Sequence, residues 1–278
     1  QPRSHSISVQ PDGISSSEVS QIASETAVTS FLADYFCTSE AWSVKKSAQQ
    51  VLTATNSWLH SQSQQSQHRY DKDKGYVCTL SAIVIKSTTA HILHVGDSRI
   101  YRLRGNTLEQ LTEDHRHWIS REQSYLSRAL GINQQVEIDY QALPVQQGDI
   151  FLLATDGVYE YANADFIIKA IHECGNDLDK AVKTIADKAY AQGSTDNLTA
   201  QLVRIDELPG QDANEIYQQL TELPFPPILD ARAIFDGYQI IREVHASSRS
   251  HVYLALDFET NTQVIIKNPS IDLRADPA

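Results

Sequence analysis

The residues before position 61 repeat apolar positions with the period of an α-helix, in two separate runs. This spacing predicts two helices, each with one face turned towards a core. The segment Ser61–Gln67 that follows is polar and of low complexity, which predicts a mobile loop. The first apolar run comprises Val19, Ile22, Ala23, Ala27 and Phe31, and the second comprises Ala48, Val51, Leu52, Thr55, Trp58 and Leu59.

The central part of the chain changes to short runs rich in β-branched and aliphatic residues. Thr79–Ile85 and His91–Val95 are separated by a short polar stretch, which predicts an antiparallel hairpin. Ile100–Arg104, closed by Gly105 and Asn106, predicts the next strand of the same meander.

Strands and helices follow one another less regularly in the next segment. Asp149–Ala154 and Leu198–Ile205 are apolar runs that predict strands, and Phe166–Ile171 and Leu178–Ala189 have helical periodicity. The order lacks the strict strand–helix–strand alternation of parallel sheets. It therefore predicts an α+β fold with antiparallel sheets.

The composition changes again near residue 206. Residues 208–234 are rich in Pro and acidic side chains, including Leu223–Pro227, and this composition predicts a linker. We therefore expect a large domain over residues 1–207 and a short β-rich tail over residues 235–278.

The charge of the chain argues against two classes of partner. Lys and Arg number 23 against 35 Asp and Glu, which gives a formal net charge of −12. Phosphate backbones and anionic lipids repel such a protein, so nucleic acid and membrane surfaces are not expected partners. No apolar run has the length of a membrane span. Cys37, Cys78 and Cys174 lack metal-binding spacing and are typical of reduced, mostly buried cysteines in a cytoplasmic protein.

Four aspartates stand beside glycine or other small residues at the ends of predicted strands. They are Asp12, Asp97, Asp156 and Asp196. Each one alone predicts only a turn, because Asp-Gly is a common turn dipeptide. Together they favour a site in which hard oxygen ligands converge, and such ligands suit Mg²⁺ or Mn²⁺.

The motifs around these aspartates, taken in order, resemble those of the metal-dependent (type 2C) protein serine/threonine phosphatase family in its bacterial style. The resemblance extends from about residue 10 to residue 205. The motifs are His94–Tyr101 (HVGDSRIY), Leu111–His115 (LTEDH), Leu126–Gly131 (LSRALG), Leu152–Val158 (LLATDGV) and Gly193–Thr199 (GSTDNLT).

The resemblance implies a fold and a metal site. The implied fold is a β-sandwich of two antiparallel sheets flanked by helices, in α-β-β-α layers. The implied ligands are Asp12, which bridges two Mg²⁺ or Mn²⁺ ions, and the carbonyl of Gly13, which binds one of them. Asp156 and Asp196 complete the second site, so Asp12, Asp156 and Asp196 are the predicted catalytic residues. Asp97 together with Asp156 holds a third ion.

The resemblance also implies a reaction. Two metal ions lower the pKa of a bridging water, and the resulting hydroxide attacks the phosphorus of phosphoserine or phosphothreonine in line. The ions stabilise the phosphoryl oxygens. Neither a cysteine nucleophile nor a phosphoenzyme is required.

The sequence departs from the family pattern at its N-terminus. The R-x-x-N-[EQ]-D pattern is missing, because Asp12 follows the first strand-like run Ser6–Val9 almost at once. Either a segment is missing from the sequence, or the phosphate-binding Arg and the outer acid are absent. The glycine-rich, His-bearing continuation is replaced by Ile14–Glu18, which leaves the usual proton donor unaccounted for.

Three other polar residues of the motifs are candidates for the missing roles. His115 could donate a proton, although a structural histidine in a loop is the favoured interpretation. Arg99 and Arg128 are interpreted as members of structural ion pairs rather than as phosphate ligands.

The tail resembles the first three strands of a protein kinase small lobe. Lys267 stands at the place of the lysine that pairs with ATP phosphates. Polar residues replace the three glycines of the phosphate loop, where glycine lets backbone amides approach phosphate closely. The chain also ends at Ala278, before any HRD or DFG motif, so no kinase activity is expected in it. A β-hairpin tail of unrelated origin is the alternative. The strands would be Gly237–Val244, Ser250–Ala255 and Gln263–Lys267, and the glycine positions read His245, Ser247 and Ser250.

Two functions therefore compete. The first is a metal-dependent phosphatase that acts on phosphoproteins, with its own kinase-like domain or a cognate kinase as a further partner. The second is an inactive phosphatase-fold module that serves as a regulatory scaffold for the kinase-like region.

Overall fold

The computed structural model divides the chain into two units, Gln1–Asp212 and Ala213–Ala278. It describes residues 5–13, 19–67, 69–71, 74–118, 124–208 and 227–270.

The first unit combines helices with antiparallel strands, which confirms the α+β prediction. Its helices are α1 Ser20–Tyr35, α2 Val44–Gln65, α3 Asp156–Tyr159, α4 Ala164–Cys174 and α5 Leu178–Ala191. Its strands are β1 His5–Gly13, β2 Cys78–Lys86, β3 Thr89–Val95, β4 Arg99–Arg104, β5 Thr107–Gln110, β6 Arg116–Trp118, β7 Ser124–Leu126, β8 Asp139–Pro144, β9 Ile150–Ala154 and β10 Ala200–Arg204.

One sheet has the strand order β1-β2-β3-β8, and all its neighbours are antiparallel. β2 and β3 form the predicted hairpin, with Leu80 opposite Val95. β1 pairs with β2 along its whole length, and this register sets Asp12 opposite Thr79. β2 and β3 are buried at nearly every position, as expected for strands that are covered on both faces.

A second sheet has the order β10-β9-β4-β5. β4 lies in this sheet and pairs with β9, from Arg99 opposite Ala154 to Leu103 opposite Ile150. The prediction that this strand continues the first meander is therefore wrong. The chain crosses between the sheets at Gly96–Ser98, because Gly96 adopts a φ of 117° and turns the backbone away from β3.

Three apolar clusters hold the first unit together. One joins α1 and α2 to β1, β2 and β3, and another joins α3, α4 and α5 to β4 and β9. The third cluster combines side chains of both sheets and therefore holds the two sheets against each other. Burial of each large apolar side chain contributes about 1.5–3 kcal/mol to stability. The members of this third cluster include Ile83, Ile92, Ile100, Phe151 and Leu153.

The two predicted N-terminal helices are confirmed as α1 and α2. Most of their predicted core positions are buried, among them Ala27 and Phe31 of α1. Ile22 and Trp58 are instead 48% and 45% exposed, so the predicted faces are wrong at these two positions.

Helix α2 continues to Gln65, so the predicted mobile loop over Ser61–Gln67 is wrong for most of its length. The buried hydroxyl of Ser63 gives the physical reason. It donates to the carbonyl of Leu59 at 3.2 Å and accepts from the backbone N–H of Tyr76 at 2.8 Å. A polar residue whose partners are supplied in this way can face the core of a helical packing.

The cysteines are unpaired, as predicted. Cys78 is buried and Cys174 is half-buried, whereas Cys37 is exposed and departs from the expected burial. Among the helices within the described residues, none is both long enough and apolar enough to cross a membrane.

The second unit contains an antiparallel sheet of four strands, which are adjacent in chain order. The β-rich runs predicted for the tail are strands in it. Lys267 lies opposite Val252 of the neighbouring strand. The strands are β11 Ile234–Phe235, β12 Tyr238–Ala246, β13 Ser250–Asp257 and β14 Gln263–Pro269, and the small core consists of Leu229, Ile240, Tyr253 and Ala255.

Acid should destabilise the first unit through His91. This side chain is buried in β3, and its Nδ1 shares a hydrogen bond with the Tyr140 hydroxyl at 2.8 Å. Burial, followed by the positive charges of Lys86 and His5, lowers the pKa of His91 from 6.5 to about 4. Because the folded-state pKa is the lower one, neutral His91 contributes fully to the stability of the fold above pH 6.5. This contribution to stability is lost as the pH falls towards 4. The loss amounts to about 3 kcal/mol.

Urea unfolding at pH 7 and pH 4.5 measures this effect. We expect the wild type to lose about 2 kcal/mol more than His91→Gln over this range. His172→Gln, at an exposed position of α4, is the control and should follow the wild type. Equal losses in the wild type and His91→Gln would contradict the prediction.

Candidate metal centre

The end of β1 carries the first two candidate ligands. Asp12 lies opposite Thr79 of β2, and Gly13 follows it as the last residue of the strand. Both residues line a cleft of about 670 Å³. Asp196 and Asn197, from the loop before β10, line the same cleft.

Asp97 lies where the chain leaves β3 for β4. A Cβ on the preceding Gly96 would stand 2.3 Å from the Cβ of Thr79, so only glycine fits this turn. The backbone carbonyl of Asp97 accepts a hydrogen bond from the Tyr159 hydroxyl at 2.9 Å. The turn and this bond hold the buried Asp97 at the crossover between the two sheets.

Asp156 is the first residue of α3 and follows β9 after one residue. A Cβ on Gly157 would stand 2.6 Å from the carbonyl oxygen of Asn197, so glycine permits a close approach of two backbones here. The same carbonyl accepts a hydrogen bond from Oγ1 of Thr155 at 2.7 Å. The loop that carries Asp196 is thereby fixed against the turn that carries Asp156.

The four aspartates share one electrostatic environment. Burial, followed by the negative charges of Asp156, Asp97 and Asp196, raises the pKa of Asp12 to about 8. Burial also raises the pKa of Asp97, against the opposing charge of Arg116. Shifts of this kind arise where carboxylates lie near one another with little water around them. The structure therefore brings all four predicted aspartates together, and their role as metal ligands stays a prediction.

An arginine that was not predicted from the sequence lies between two of these aspartates. Arg116, the first residue of β6, donates from Nε to Asp97 and from Nη2 to Asp156. Its Nη1 lies 3.5 Å from Oε1 of Glu160. Arg116 follows the LTEDH motif directly, but no local pattern indicates its partners. The sequence indicates Glu160 only weakly, through its position one helical turn after Asp156.

The donor set fits Mg²⁺ or Mn²⁺ in its chemistry. Carboxylate oxygens and the Gly13 carbonyl are the ligands these hard cations prefer, and crowded carboxylates favour a compensating divalent charge. Within the described ranges, no three His, Cys, Asp or Glu side chains are arranged to hold one ion. The carboxylates of Asp97 and Asp156 instead contact Arg116.

His115 is a structural residue, as the favoured interpretation predicted. Its Nδ1 accepts from the backbone N–H of Gly96 at 3.0 Å, so Nε2 carries the proton and donates to Asp139 at 2.9 Å. Both ring nitrogens are therefore engaged. Burial lowers the pKa of His115, despite the hydrogen bond to Asp139.

The two candidate arginines also form the predicted ion pairs. Arg99 binds Asp114 through two hydrogen bonds of 2.8 and 2.7 Å, and its guanidinium lies 3.8 Å from the ring centre of Tyr159. Arg128 donates to Asp139 at 2.7 Å. The segment Ile14–Glu18, where the proton donor was sought, lies outside the described residues.

Comparison with known proteins places most of the first unit in one family. The model of the protein phosphatase 2C family matches residues 4–204. The serine/threonine phosphatase stp of Listeria welshimeri is 30% identical over 233 residues, which cover 75% of this chain and 88% of that protein. The protein phosphatase PhpP of Streptococcus pneumoniae is 25% identical over 213 residues, which cover 70% of this chain and 84% of that protein.

The fold is also similar to that of solved structures. The serine/threonine phosphatase Stp1 from Staphylococcus aureus matches with a TM-score of 0.64 and 20% identity, over 73% of this chain and 85% of that one. At this identity the similarity bears on the fold alone.

Proposed function

Because the chain belongs to the protein phosphatase 2C family and is a protein serine/threonine phosphatase, we propose that it uses Mg²⁺ or Mn²⁺ to hydrolyse phosphoserine and phosphothreonine. The observation that carries this proposal is that the negative charges of Asp97, Asp156 and Asp196 all act on Asp12, which lines one cleft together with Asp196. The alternative of an inactive scaffold finds no support, since the relatives are named as phosphatases.

Each aspartate would have a distinct role. Asp12 would bridge two ions, the Gly13 carbonyl would bind one of them, and Asp156 and Asp196 would complete the second position. Asp97 would hold a third ion together with Asp156. When bound, the ions supply activation of water and stabilisation of charge on the phosphoryl group. The chain itself keeps the ligands in position through the glycine turns before Asp97 and after Asp156.

We also propose that the two sheets of the first unit form a β-sandwich between two helical layers. The cluster that joins apolar side chains of both sheets supports this arrangement. The clusters that join α1 and α2 to one sheet and α3 to α5 to the other support it as well. The phosphatase domain would then occupy residues 1–207, close to the end of the family match at residue 204.

The kinase-like small lobe over residues 235–278 and the linker over residues 208–234 stay predictions. The family match ends before both of them. The three adjacent antiparallel strands of the second unit, with Lys267 in the last one, are compatible with such a lobe. Phosphoprotein substrates are the expected partners, with the kinase-like region or a cognate kinase as a proposed addition. A cytoplasmic location is likewise a proposal.

Phosphate release from synthetic phosphopeptides tests the proposed function. We expect Mn²⁺-dependent release from phosphoserine and phosphothreonine peptides, loss of release in EDTA, and little release from a phosphotyrosine peptide. Asp196→Asn should lower the rate about 10²- to 10³-fold, because it removes a negatively charged ligand. Asp206→Asn changes an exposed aspartate after β10 and is the matched control. Equal rates in these two variants, or full activity in EDTA, would overturn the proposal.

A further inference from the structure

The guanidinium of Arg116 makes direct contacts with two candidate ligands. Nε donates to Oδ2 of Asp97, and Nη2 donates to Oδ2 of Asp156. The side chains of Arg116, Asp97 and Asp156 are 17%, 6% and 14% exposed. These ion pairs are therefore screened much less by salt than pairs on the surface.

The backbone before Arg116 is tied to the turn that carries Asp97. The N–H of His115 donates to the carbonyl of Gly96 at 2.7 Å, and the N–H of Gly96 donates to Nδ1 of His115 at 3.0 Å. Strand pairing sets Arg116 opposite Leu126. Because its backbone is already ordered, Arg116 loses less conformational entropy when its side chain contacts the two aspartates.

A divalent ion held by Asp97 and Asp156 would lie beside the guanidinium that contacts the same two carboxylates, and the two positive charges would repel each other. An ion shared by Asp97 and Asp156 needs an oxygen of each at about 2.0–2.2 Å from one point. The hydrogen-bonding sides of those two oxygens now face Nε and Nη2 of Arg116. The divalent ion carries twice the charge of the guanidinium, so carboxylates favour the ion once its concentration is sufficient.

The negative charges around Arg116 also argue against a phosphate-binding role for this residue. Asp97 and Asp156 contact its guanidinium, and Glu160 lies 3.5 Å from Nη1. Three carboxylates around one positive charge leave a net negative environment. A phosphate dianion would be repelled there, whereas a metal cation would be attracted.

We propose that Arg116 is an internal cation that competes with a divalent ion for the Asp97–Asp156 pair and so raises the ion concentration at which this position fills. The inference rests on the proposed function, because it needs the two aspartates to be metal ligands. In ion-poor conditions Arg116 keeps the pair together. When an ion binds, the guanidinium leaves the two carboxylates.

Titration of the full chain with Mn²⁺, followed by the electron paramagnetic resonance of free Mn²⁺, tests this competition. It counts bound ions and gives each dissociation constant without an activity assay. We expect Arg116→Ala to lower the dissociation constant of the weakest ion about tenfold, or about 1.4 kcal/mol. Arg116→Lys keeps the charge but loses the fork that reaches both carboxylates. We therefore expect it to lower the same dissociation constant about threefold. Arg102→Ala removes an ion pair with the half-exposed Glu109, and this variant should bind Mn²⁺ as the wild type does.

A second substitution locates the effect. In the Arg116→Ala background, Asp97→Asn should abolish the gain in affinity. Thermal unfolding shows whether each variant folds, and Mn²⁺ should raise the melting temperature of Arg116→Ala more than that of the wild type. If Arg116→Ala does not fold, the Arg116→Lys titration decides.

The outcomes separate the two claims. Binding of Mn²⁺ with the same constants in the wild type and in the folded Arg116 variants would overturn the competition alone. A gain in affinity that survives Asp97→Asn would overturn it too. Absence of Mn²⁺ binding in the wild type and in both Arg116 variants at millimolar concentration would overturn the proposed metal centre, and the competition with it.

Discussion

Asp12→Asn is expected to abolish phosphatase turnover and, in the same protein, to stabilise the metal-free fold. The expected loss of turnover is about 10³-fold or more, or about 4 kcal/mol, because asparagine lacks the charge with which Asp12 would bridge two ions. The expected gain in stability arises from the crowding of carboxylates around Asp12. A residue that destabilises the metal-free protein and is nevertheless required for turnover with metal is typical of a functional site.

The gain in stability depends on pH in a defined direction. Burial, followed by the charges of Asp156, Asp97 and Asp196, raises the pKa of Asp12 from 3.8 to about 8. Because the folded-state pKa is the higher one, the contribution of Asp12 to the stability of the metal-free protein falls as the pH rises from about 4 to about 8. Asparagine does not titrate. At pH 7.5 the variant should therefore be more stable than the wild type by about 5 kcal/mol, and near pH 4 most of this difference should be gone.

Urea unfolding in EDTA at pH 4.5 and 7.5, together with phosphopeptide hydrolysis in Mn²⁺, measures both halves of this prediction. Asp34→Asn, at an exposed position of α1, is the control and should leave both quantities near those of the wild type. With Mn²⁺ present, the order of stability should reverse, because the ions stabilise the wild type more. Asp12→Asn that keeps its turnover, or that is less stable in EDTA at pH 7.5, would contradict the assignment of Asp12.

Periodicity and turn chemistry predict much of this fold. The helices α1, α2, α4 and α5 follow from apolar spacing. The turns beside the aspartates are predicted from the neighbouring glycines. The structure gives the steric reason at Gly96, where a side chain would collide with Thr79. These features depend on neighbours in sequence, which a pattern can represent.

Other features depend on partners that are remote in sequence. The helical state of Ser61–Gln65 rests on the contact of Ser63 with Tyr76, and no local polarity pattern shows that contact. The placement of β4 in the second sheet depends on its pairing with β9. The position of Arg116 depends on Asp156, which lies far along the chain. Long-range pairing of this kind is decided by tertiary packing rather than by local propensity.

Asp156→Asn should reduce turnover much more than Asp97→Asn, although both carboxylates contact the same arginine. Asp156 would contribute to the bridged pair of ions and to the third ion, so its loss should cost about 10³-fold. Asp97 would contribute to the third ion alone, so its loss should cost about 10- to 100-fold. The shared contact with Arg116 makes the two variants a matched pair, because each removes one charge-assisted bond from the same guanidinium.

Steady-state rates on a phosphothreonine peptide across a series of Mn²⁺ concentrations distinguish the two positions. For Asp97→Asn, higher Mn²⁺ should recover much of the rate, because the weakened third position fills at higher concentration while the bridged pair is intact. For Asp156→Asn, the rate should stay low at every concentration. Equal losses in the two variants would mean that Asp97 and Asp156 act as one unit through Arg116, and the distinction between a bridged pair and a third ion would then be wrong for this chain.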